Sequence, residues 1–244
     1  MKNIKNYENE YISDYGFESI MVHYRQQLVL EFLVRNKPRT IVEIGCGNSL
    51  VSEQYYGLGG DWDKWIIVEP ADKFFELAVL KNLPKTTVIK GFFEKIASKI
   101  EIFPEVIICS GLLHEVPDAN KLCCSITATM NKSTVLHVNV PNSNSLHRLL
   151  AKSMGLIDEL TELSERNHRL VQPRVFDLKS LSNLLADNGL RAINEGGHFV
   201  KPFTHKQMEK MAPILGQKIM SGLYELGKNQ PEIASEIFID LVKK

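Results

Sequence analysis

An acid followed by a glycine-rich turn is the arrangement in this chain that could do chemistry. Residues 40–49 read TIVEIGCGNS: a short apolar run reaches Glu43 and then breaks into Gly45, Cys46 and Gly47. This order indicates a strand, a tight turn and the start of a helix, which together bring backbone N–H groups up to a nucleotide-like ligand. Glycine suits the turn, because the chain bends sharply there and a Cβ would keep the ligand away.

The turn departs from the dinucleotide-binding fingerprint G-x-G-x-x-G, whose third glycine would fall at Leu50. Glu43 would also repel a pyrophosphate, whereas it suits a ligand with a cationic amine. S-adenosylmethionine (SAM) has such an amine, a sulfonium and no phosphate. The stretch resembles the first motif of the class I SAM-dependent methyltransferases, E/D-x-G-x-G-x-G, with Ser49 in place of the last glycine. An NAD-dependent enzyme is the weaker alternative, opposed by Leu50 and Glu43.

A second carboxylate, Glu69, is expected close to Glu43. It follows residues 65–68, WIIV, a continuous apolar stretch typical of a strand that is buried on both faces. In nucleoside-binding α/β folds an acid at this point accepts hydrogen bonds from both ribose hydroxyls. Glu43 and Glu69 would both lie at the carboxyl edge of adjacent strands, where such sheets bind ligands. The alternative is an ordinary acid at the end of a strand.

A third segment strengthens the resemblance. Residues 109–118, CSGLLHEVPD, are similar to the motif that follows a strand in the ubiquinone and menaquinone methyltransferases. Together with VEIGCG and Glu69, this similarity covers roughly residues 38–140. It extends more loosely over residues 141–203, where VPNSNSLHRLL, ERNHRL and RVF resemble bacterial small-molecule and sugar methyltransferases.

The resemblance implies a set of residues that bind SAM. Glu43 and Gly45 would bind the methionine part, and Glu69 the ribose. Arg25, on the helix before the first strand, resembles the family arginine that pairs with the methionine carboxylate, although it could be a solvated helix residue. One of the two phenylalanines at 92 and 93 is expected in the core. The other expected contacts are Cys46, Gly47 and Pro70, then Phe92, Phe93 and Glu94 at the adenine, then Ser110 and Gly111 on the sulfonium side, and Leu112.

Methyl transfer is an in-line displacement at the sulfonium, so the protein mainly has to align donor and acceptor. A hydroxyl acceptor also needs a general base, for which histidine has a suitable pKa. His114 is the first candidate, because it follows the fourth strand close to where the methyl group should lie. His168, in a polar stretch, is the second. Either could instead cap a helix or lie on the surface.

The acceptor is expected to contact residues outside the SAM-binding motifs. Arg166 and Arg169, with Asn142, could bind an anionic group such as a phosphate or a carboxylate; a solvated loop is the alternative. Tyr11 and Tyr15 would share one helix face with Tyr7 and could close over the ligand as a lid. A loosely ordered N-terminal arm is the alternative there.

Composition excludes several function classes. The formal net charge is zero, so no overall field attracts nucleic acid or an anionic membrane. The four cysteines form no C-x-x-C, which argues against a metal site and favours a reducing compartment. The N-terminus resembles no signal peptide and no apolar run could span a bilayer, so we expect a cytoplasmic protein. The oligomeric state stays open, a homodimer included.

The elements that must position these residues alternate along the chain. Short apolar strands alternate with helices of about ten residues, which predicts βαβ units. The expected fold is α/β: a Rossmann-like, seven-stranded, mostly parallel sheet flanked by helices, with an N-terminal helical lid and extra C-terminal helices. Apolar runs at 190–193 and 198–203 would form a closing antiparallel pair, and a last helix would begin at Pro231. The expected units are residues 1–37, lid and first helix; 38–204, SAM-binding domain with an acceptor-side insert at 141–175; and 205–244, a helical extension.

Two functions of different classes fit the sequence. The leading hypothesis is an enzyme, a SAM-dependent O-methyltransferase of a small polar acceptor in surface-polysaccharide or secondary-metabolite biosynthesis. A quinone or aromatic C- or O-methyltransferase is less favoured, because the insert is polar and contains arginines. The competing hypothesis is a non-catalytic scaffold that keeps the fold and binds another protein.

Overall fold

The structure is a computed structural model that describes residues 16–244, so Tyr7, Tyr11 and Tyr15 of the predicted lid lie outside the described residues. The strands are β1 Thr40–Ile44, β2 Lys64–Glu69, β3 Thr86–Lys90, β4 Val106–Ser110, β5 Val135–Pro141, β6 Leu190–His198 and β7 Glu236–Lys243. They form one sheet in the order β3-β2-β1-β4-β5-β7-β6. The first five run parallel, and β7 is antiparallel to β5 and β6. The predicted seven-stranded, mostly parallel sheet is therefore confirmed.

Helices cover both faces of the sheet. They are α1 Glu18–Asn36, α2 Val51–Gly57, α3 Asp72–Lys81, α4 Phe93–Ile96, α5 Ala119–Thr129, α6 Leu146–Ser153, α7 Glu165–Arg169, α8 Leu178–Asp187 and α9 His205–Asn229. Side chains alternate between the two faces of each strand. In β1, Ile41 packs with α1, α2 and α3, whereas Val42 belongs to the cluster under α4, α5 and α8. The alternation explains why strands of nearly continuous apolar sequence supply two separate cores.

The C-terminal segment differs from the prediction. Residues 236–243 form β7 rather than a helix, and β7 lies inside the sheet, so residues 205–244 are not a separate helical extension. The reason is the alternation of Ile237, Ile239 and Leu241, whose side chains are all buried. Between β5 and β6, this segment forms hydrogen bonds along both of its edges.

β6 corrects a second prediction. Residues 190–198 form one strand, and Gly196 and Gly197 lie within it instead of turning the chain between two short strands. A Cβ at Gly196 would lie 2.8 Å from the Phe238 ring, and one at Gly197 would lie 2.6 Å from the Ala234 Cβ. These glycines therefore allow the neighbouring segments to approach closely.

α9 is the predicted C-terminal helix and packs against the start of α1. It contains Pro213, and Gly216 within it has a positive φ of 71°, which marks a kink. Tyr224 of α9 stacks on Tyr24 of α1 with ring centroids 5.0 Å apart. This contact holds α1 in place across the carboxyl ends of the central strands, where a cleft opens.

Candidate functional site

A cleft of about 700 Å³ lies at the carboxyl ends of the parallel strands. Its walls come from the loops after β1, β2, β3, β4 and β5, from α1, and from the segment that joins β5 to α8. In an open α/β sheet this edge is where ligands bind. All thirteen residues expected to bind SAM line the cleft: Arg25, Glu43, Gly45, Cys46, Gly47, Glu69, Pro70, Phe92, Phe93, Glu94, Ser110, Gly111 and Leu112.

The glycine turn opens into this cleft. Gly45 and Gly47 have φ values of 74° and 59°, a region that side chains other than glycine rarely adopt. A Cβ at Gly47 would meet nothing within 4 Å, so packing inside the protein leaves free space there. Ser49, at the place of the motif's last glycine, donates its hydroxyl to Gln26 Oε1 at 3.1 Å. The free space above Gly47 fits a ligand that approaches the backbone closely.

Glu69 connects the end of β2 to the glycine turn. Its carboxylate accepts backbone N–H hydrogen bonds from Cys46 at 2.9 Å, Ala71 at 2.8 Å and Gly47 at 3.3 Å. Burial raises the pKa of Glu69, although these backbone donors act in the opposite direction. Since an ionised carboxylate has about four acceptor positions, it can also accept from a ligand hydroxyl.

Glu43 is buried next to Glu69 on the neighbouring strand. Its Oε2 accepts a hydrogen bond of 3.0 Å from the indole Nε1 of Trp65. Burial raises the pKa of Glu43, the hydrogen bond from Trp65 opposes this, and the charge of Glu69 adds to the rise, so that the pKa is about 8. Near pH 7 Glu43 is therefore mostly protonated, and a cation bound beside it would favour the ionised form.

Arg25 reaches the cleft from α1 and is held by two buried carboxylates. Its Nε donates to Glu236 Oε2 at 2.8 Å, and its Nη2 donates to Glu236 Oε1 and, at 3.0 Å, to Glu18 Oε1. A Cβ at Gly111 would lie only 3.3 Å from Arg25 Nη1. The arginine thus lies beside the loop after β4, and its carboxylate partners were not foreseen from the sequence.

The two phenylalanines after β3 divide as expected. Phe93 is 2% exposed and belongs to the core, whereas Phe92 is 40% exposed. After β4, Ser110 and Gly111 are fixed by Asn139, whose side-chain oxygen accepts the backbone N–H of Gly111 at 2.9 Å.

The structure brings one of the two candidate histidines to the cleft. His114 lines it and is 5% exposed. Its Nε2 lies 3.3 Å from the amide nitrogen of Gln172 and 3.6 Å from Glu115 Oε1. His168 is exposed on α7 and is not among the residues that line the cleft, so its role as a base stays a prediction that the cleft does not support.

Some of the residues expected to contact the acceptor line the cleft, and others do not. Arg166 lines the cleft and pairs with Glu18 at 3.0 Å, whereas Arg169 is exposed and lies outside the lining. Asn142 also lines the cleft, but its amide nitrogen donates to the backbone oxygens of Glu232 and Ala234. Its polar atoms therefore hold the segment before β7.

Sequence reasoning missed a buried group of charged residues at the other end of the cleft. Lys201 Nζ lies 2.8 Å from His205 Nδ1, and His205 Nε2 lies 3.1 Å from Glu18 Oε2. Burial lowers the pKa of Lys201 to about 7, and the charge of Arg166 contributes. These residues come from separate parts of the chain, so no local pattern marks them.

Charge divides the cleft into two halves. The half formed by the loops after β1, β2 and β3 is acidic, and among the described residues no lysine or arginine lines it; its acids are Glu43, Glu69, Asp72 and Glu94. The opposite half contains Arg25, Arg148, Arg166 and Lys201 together with Glu18, Glu115 and Glu236. A ligand that spans the cleft would therefore carry its cationic part at the first half and an anionic part at the second.

No helix within residues 16–244 is both long and apolar enough to cross a membrane.

Comparison with known proteins gives one family. A sequence profile described as "Methyltransferase domain" matches residues 17–195. None of the curated proteins compared matches the chain.

Solved structures share the fold at low sequence identity. A SAM-dependent methyltransferase from Thermotoga maritima, described as a possible histamine N-methyltransferase, is 16% identical with a TM-score of 0.62, covering 98% of this chain and 99% of that one. The plantazolicin methyltransferase BamL, crystallised with a triazolic desmethylPZN analogue and S-adenosylhomocysteine (SAH), is 12% identical with a TM-score of 0.60, covering 98% and 97%. A Listeria monocytogenes protein described as a "putative S-adenosylmethionine dependent methyltransferase" is 14% identical with a TM-score of 0.57, covering 90% and 98%.

Proposed function

The chain belongs to the class I SAM-dependent methyltransferases, and from this premise we propose that it methylates an oxygen of a small, polar, anionic metabolite. Sugar- and phosphate-containing metabolites of surface-polysaccharide or secondary-metabolite biosynthesis have this chemistry. One observation carries the proposal: Arg148 and Lys201 line the second half of the cleft, and among residues 16–244 no carboxylate forms an ion pair with either of them. Two basic side chains that line a cleft without a carboxylate partner favour an anionic ligand.

The acidic half of the cleft fits SAM. Glu43 and Gly45 would hold the methionine amine, and Glu69 the ribose hydroxyls. The exposed ring of Phe92 would pack against the adenine. Bound SAM supplies a methyl group on a sulfonium, and transfer forms the O–CH₃ bond as the S–CH₃ bond breaks, with its electron pair remaining on sulfur.

The protein contributes mainly alignment. Asn139 of β5 forms hydrogen bonds with Ser110 and Gly111 at the end of β4, and this segment would support the sulfonium side. Holding the reacting atoms in line can lower the barrier by about 7–11 kcal/mol. Arg148 is fixed for the acceptor by hydrogen bonds of 2.9 Å and 2.5 Å to the backbone oxygens of Leu160 and Glu162.

Label transfer from radioactive SAM tests the proposal. Pools of sugar phosphates and hydroxy acids should accept label, and their uncharged counterparts should not. Arg148→Met should lower transfer to the anionic pools by about tenfold, while the control Arg191→Met, at an exposed position on β6, should leave it unchanged. Label only in a quinone pool would contradict the proposal. The scaffold hypothesis would gain support if calorimetry with SAH gave no heat.

A proton balance tests the place of Glu43. SAH carries the same amine as SAM, so its binding near pH 7 should shift Glu43 from its protonated form, with a pKa of about 8, to the carboxylate. We therefore expect proton release, measured by calorimetry in two buffers that differ in protonation enthalpy. Glu43→Gln keeps an acceptor for Trp65 but cannot ionise, so it should abolish the release. An equal release from this variant would remove Glu43 from the amine site.

A further inference from the structure

His114 has one ring nitrogen without a partner. Its Nδ1 is buried and forms no hydrogen bond with any of the described residues. The residue is 5% exposed and lines the cleft. A buried polar atom in this state has a cost unless a ligand or water pairs with it. Whether Nδ1 donates or accepts determines which group can pair with it.

A chain of hydrogen bonds determines whether Nδ1 of His114 donates or accepts. This chain of hydrogen bonds begins at a backbone N–H. The backbone nitrogen of Ser164 can only donate, and it donates to Asn167 Oδ1 at 3.0 Å. The amide nitrogen of Asn167 therefore faces Gln172, whose Oε1 accepts at 2.7 Å. Gln172 must then present its amide nitrogen to the other side, where it donates to Glu115 Oε1 at 2.8 Å.

The same amide nitrogen fixes the tautomer of His114. Gln172 Nε2 lies 3.3 Å from His114 Nε2. Two N–H groups cannot face each other at this distance, so the histidine nitrogen accepts. Glu115 Oε1, at 3.6 Å, is too far to receive a hydrogen from it. In the neutral ring the hydrogen is consequently on Nδ1.

The ring is neutral near pH 7. Burial lowers the pKa of His114 to about 4, which the charge of Glu115 partly offsets. Arg25 lowers this pKa as well, and Glu236 and Glu18 raise it. His114 therefore carries an N–H donor at Nδ1, not the lone pair that a general base needs there.

We propose that His114 binds an oxyanion of the methyl acceptor through its Nδ1 hydrogen, as a donor and not as the general base. This inference rests on the proposed function and deepens it. Ser143 supports the assignment, because its Oγ is also buried in the cleft wall without a partner among the described residues. Its backbone nitrogen donates to Phe176 O, so Ser143 and His114 flank one segment, residues 172–176. An acceptor oxygen that is already ionised needs no general base. This agrees with a site whose side chains donate hydrogen bonds.

The tautomer can be measured without knowing the acceptor. In protein labelled with ¹⁵N-histidine, the His114 signals are assigned from the spectrum of His114→Asn, and near pH 7 they should show a protonated Nδ1. The double variant Gln172→Glu/Glu115→Gln keeps the net charge but places a carboxylate against Nε2, so the hydrogen should move to Nε2. A wild-type ring protonated at Nε2 would overturn the proposal.

Oxyanion binding is measured with acetate and with inorganic phosphate as probes, on protein saturated with SAH. One of them should shift the His114 Nδ1 signal, and which one it is distinguishes a carboxylate from a phosphate. His114→Ala should weaken that binding by about tenfold or more, since hydrogen bonds to charged groups are strong. His114→Asn, whose amide nitrogen replaces Nδ1, should stay within about threefold of wild type.

The outcomes separate the two proposals. No shift with either probe, in protein that binds SAH, would overturn the role of His114 and leave the methyltransferase assignment intact. Weaker binding in His114→Asn, equal to that of His114→Ala, would also overturn it. Failure of SAH itself to bind would instead count against the proposed function, and the tautomer measurement would still judge His114 by itself.

Discussion

Replacing Arg25 by methionine is expected to lower the free energy of unfolding by about 3–5 kcal/mol, because it leaves the buried carboxylate of Glu236 without its arginine. Arg25 forms two contacts with Glu236 and one with Glu18, and the side chains of the two acids are 3% and 7% exposed. Urea denaturation near pH 7 measures the change. The double variant Arg25→Met/Glu236→Gln should recover part of the loss, since the amide needs no counterion.

A surface arginine provides the control. Arg39 forms similar ion pairs with Asp61 and Asp63, but the side chain of Arg39 is 43% exposed and those of both aspartates are 62% exposed, so Arg39→Met should change the stability little. Equal effects of Arg25→Met and Arg39→Met would show that the buried group at the cleft does not depend on Arg25.

The pH dependence of stability follows from the same ion pair. Burial raises the pKa of Glu236, but Arg25 and the nearby ring of His198, whose Nε2 lies 3.3 Å from Glu236 Oε2, outweigh it and lower the pKa from 4.5 to about 2. A depressed carboxyl pKa stabilises the fold at pH values above the unfolded pKa. The contribution is lost as the pH falls from about 4.5 to about 2. In Arg25→Met this acid-dependent loss should become smaller, because the stabilising interaction is already gone.

The acidic half of the cleft could be predicted because each of its residues lies near the end of an apolar run. Glu43 is inside β1, Glu69 ends β2, and Ser110 ends β4. A parallel sheet brings all carboxyl ends of its strands to one edge, so local sequence is sufficient to group these residues. The glycine turn adds a second local signal, which the positive φ values of Gly45 and Gly47 bear out.

The opposite half could not be predicted, because the tertiary fold alone assembles it. Glu18 begins α1, Lys201 follows β6 and Glu236 belongs to β7, elements that are far apart in sequence. Glu236 begins β7, which the sequence analysis read as helix because Pro231 suits a helix start. The segment forms a strand because it lies between β5 and β6, where its backbone groups form hydrogen bonds on both sides. Once β7 is misread, Glu236 cannot be placed beside Arg25.

His114 shows a related limit. Its position after β4 was sufficient to place it in the cleft, but a general base and a hydrogen-bond donor require opposite tautomers. That choice depends on Gln172 and Asn167, which lie more than fifty residues further along the chain. The sequence identifies the residue, whereas the contacts of Nε2 determine whether Nδ1 donates or accepts a hydrogen bond.

Replacing Glu69 by alanine is expected to weaken SAM binding by about tenfold or more, because a carboxylate that would accept from two ribose hydroxyls is removed. Calorimetry with SAH measures the affinity. The variant also leaves the backbone N–H groups of Cys46, Gly47 and Ala71 without their acceptor. A loss of affinity could therefore come from a distorted turn, and the experiment has to separate the two causes.

Two ligands distinguish the loss of the ribose contact from a distorted turn. Adenosine and 2′,3′-dideoxyadenosine differ only in the ribose hydroxyls, so wild-type protein should bind adenosine more tightly. In Glu69→Ala this preference should disappear, whereas a distorted turn would weaken both ligands and leave the preference in place. Asp72→Ala is the matched control, since Asp72 lines the same wall and forms an ion pair with Lys90; it should retain the preference. If Glu69→Ala kept the full preference for adenosine, the ribose hydroxyls would have to be bound by another residue.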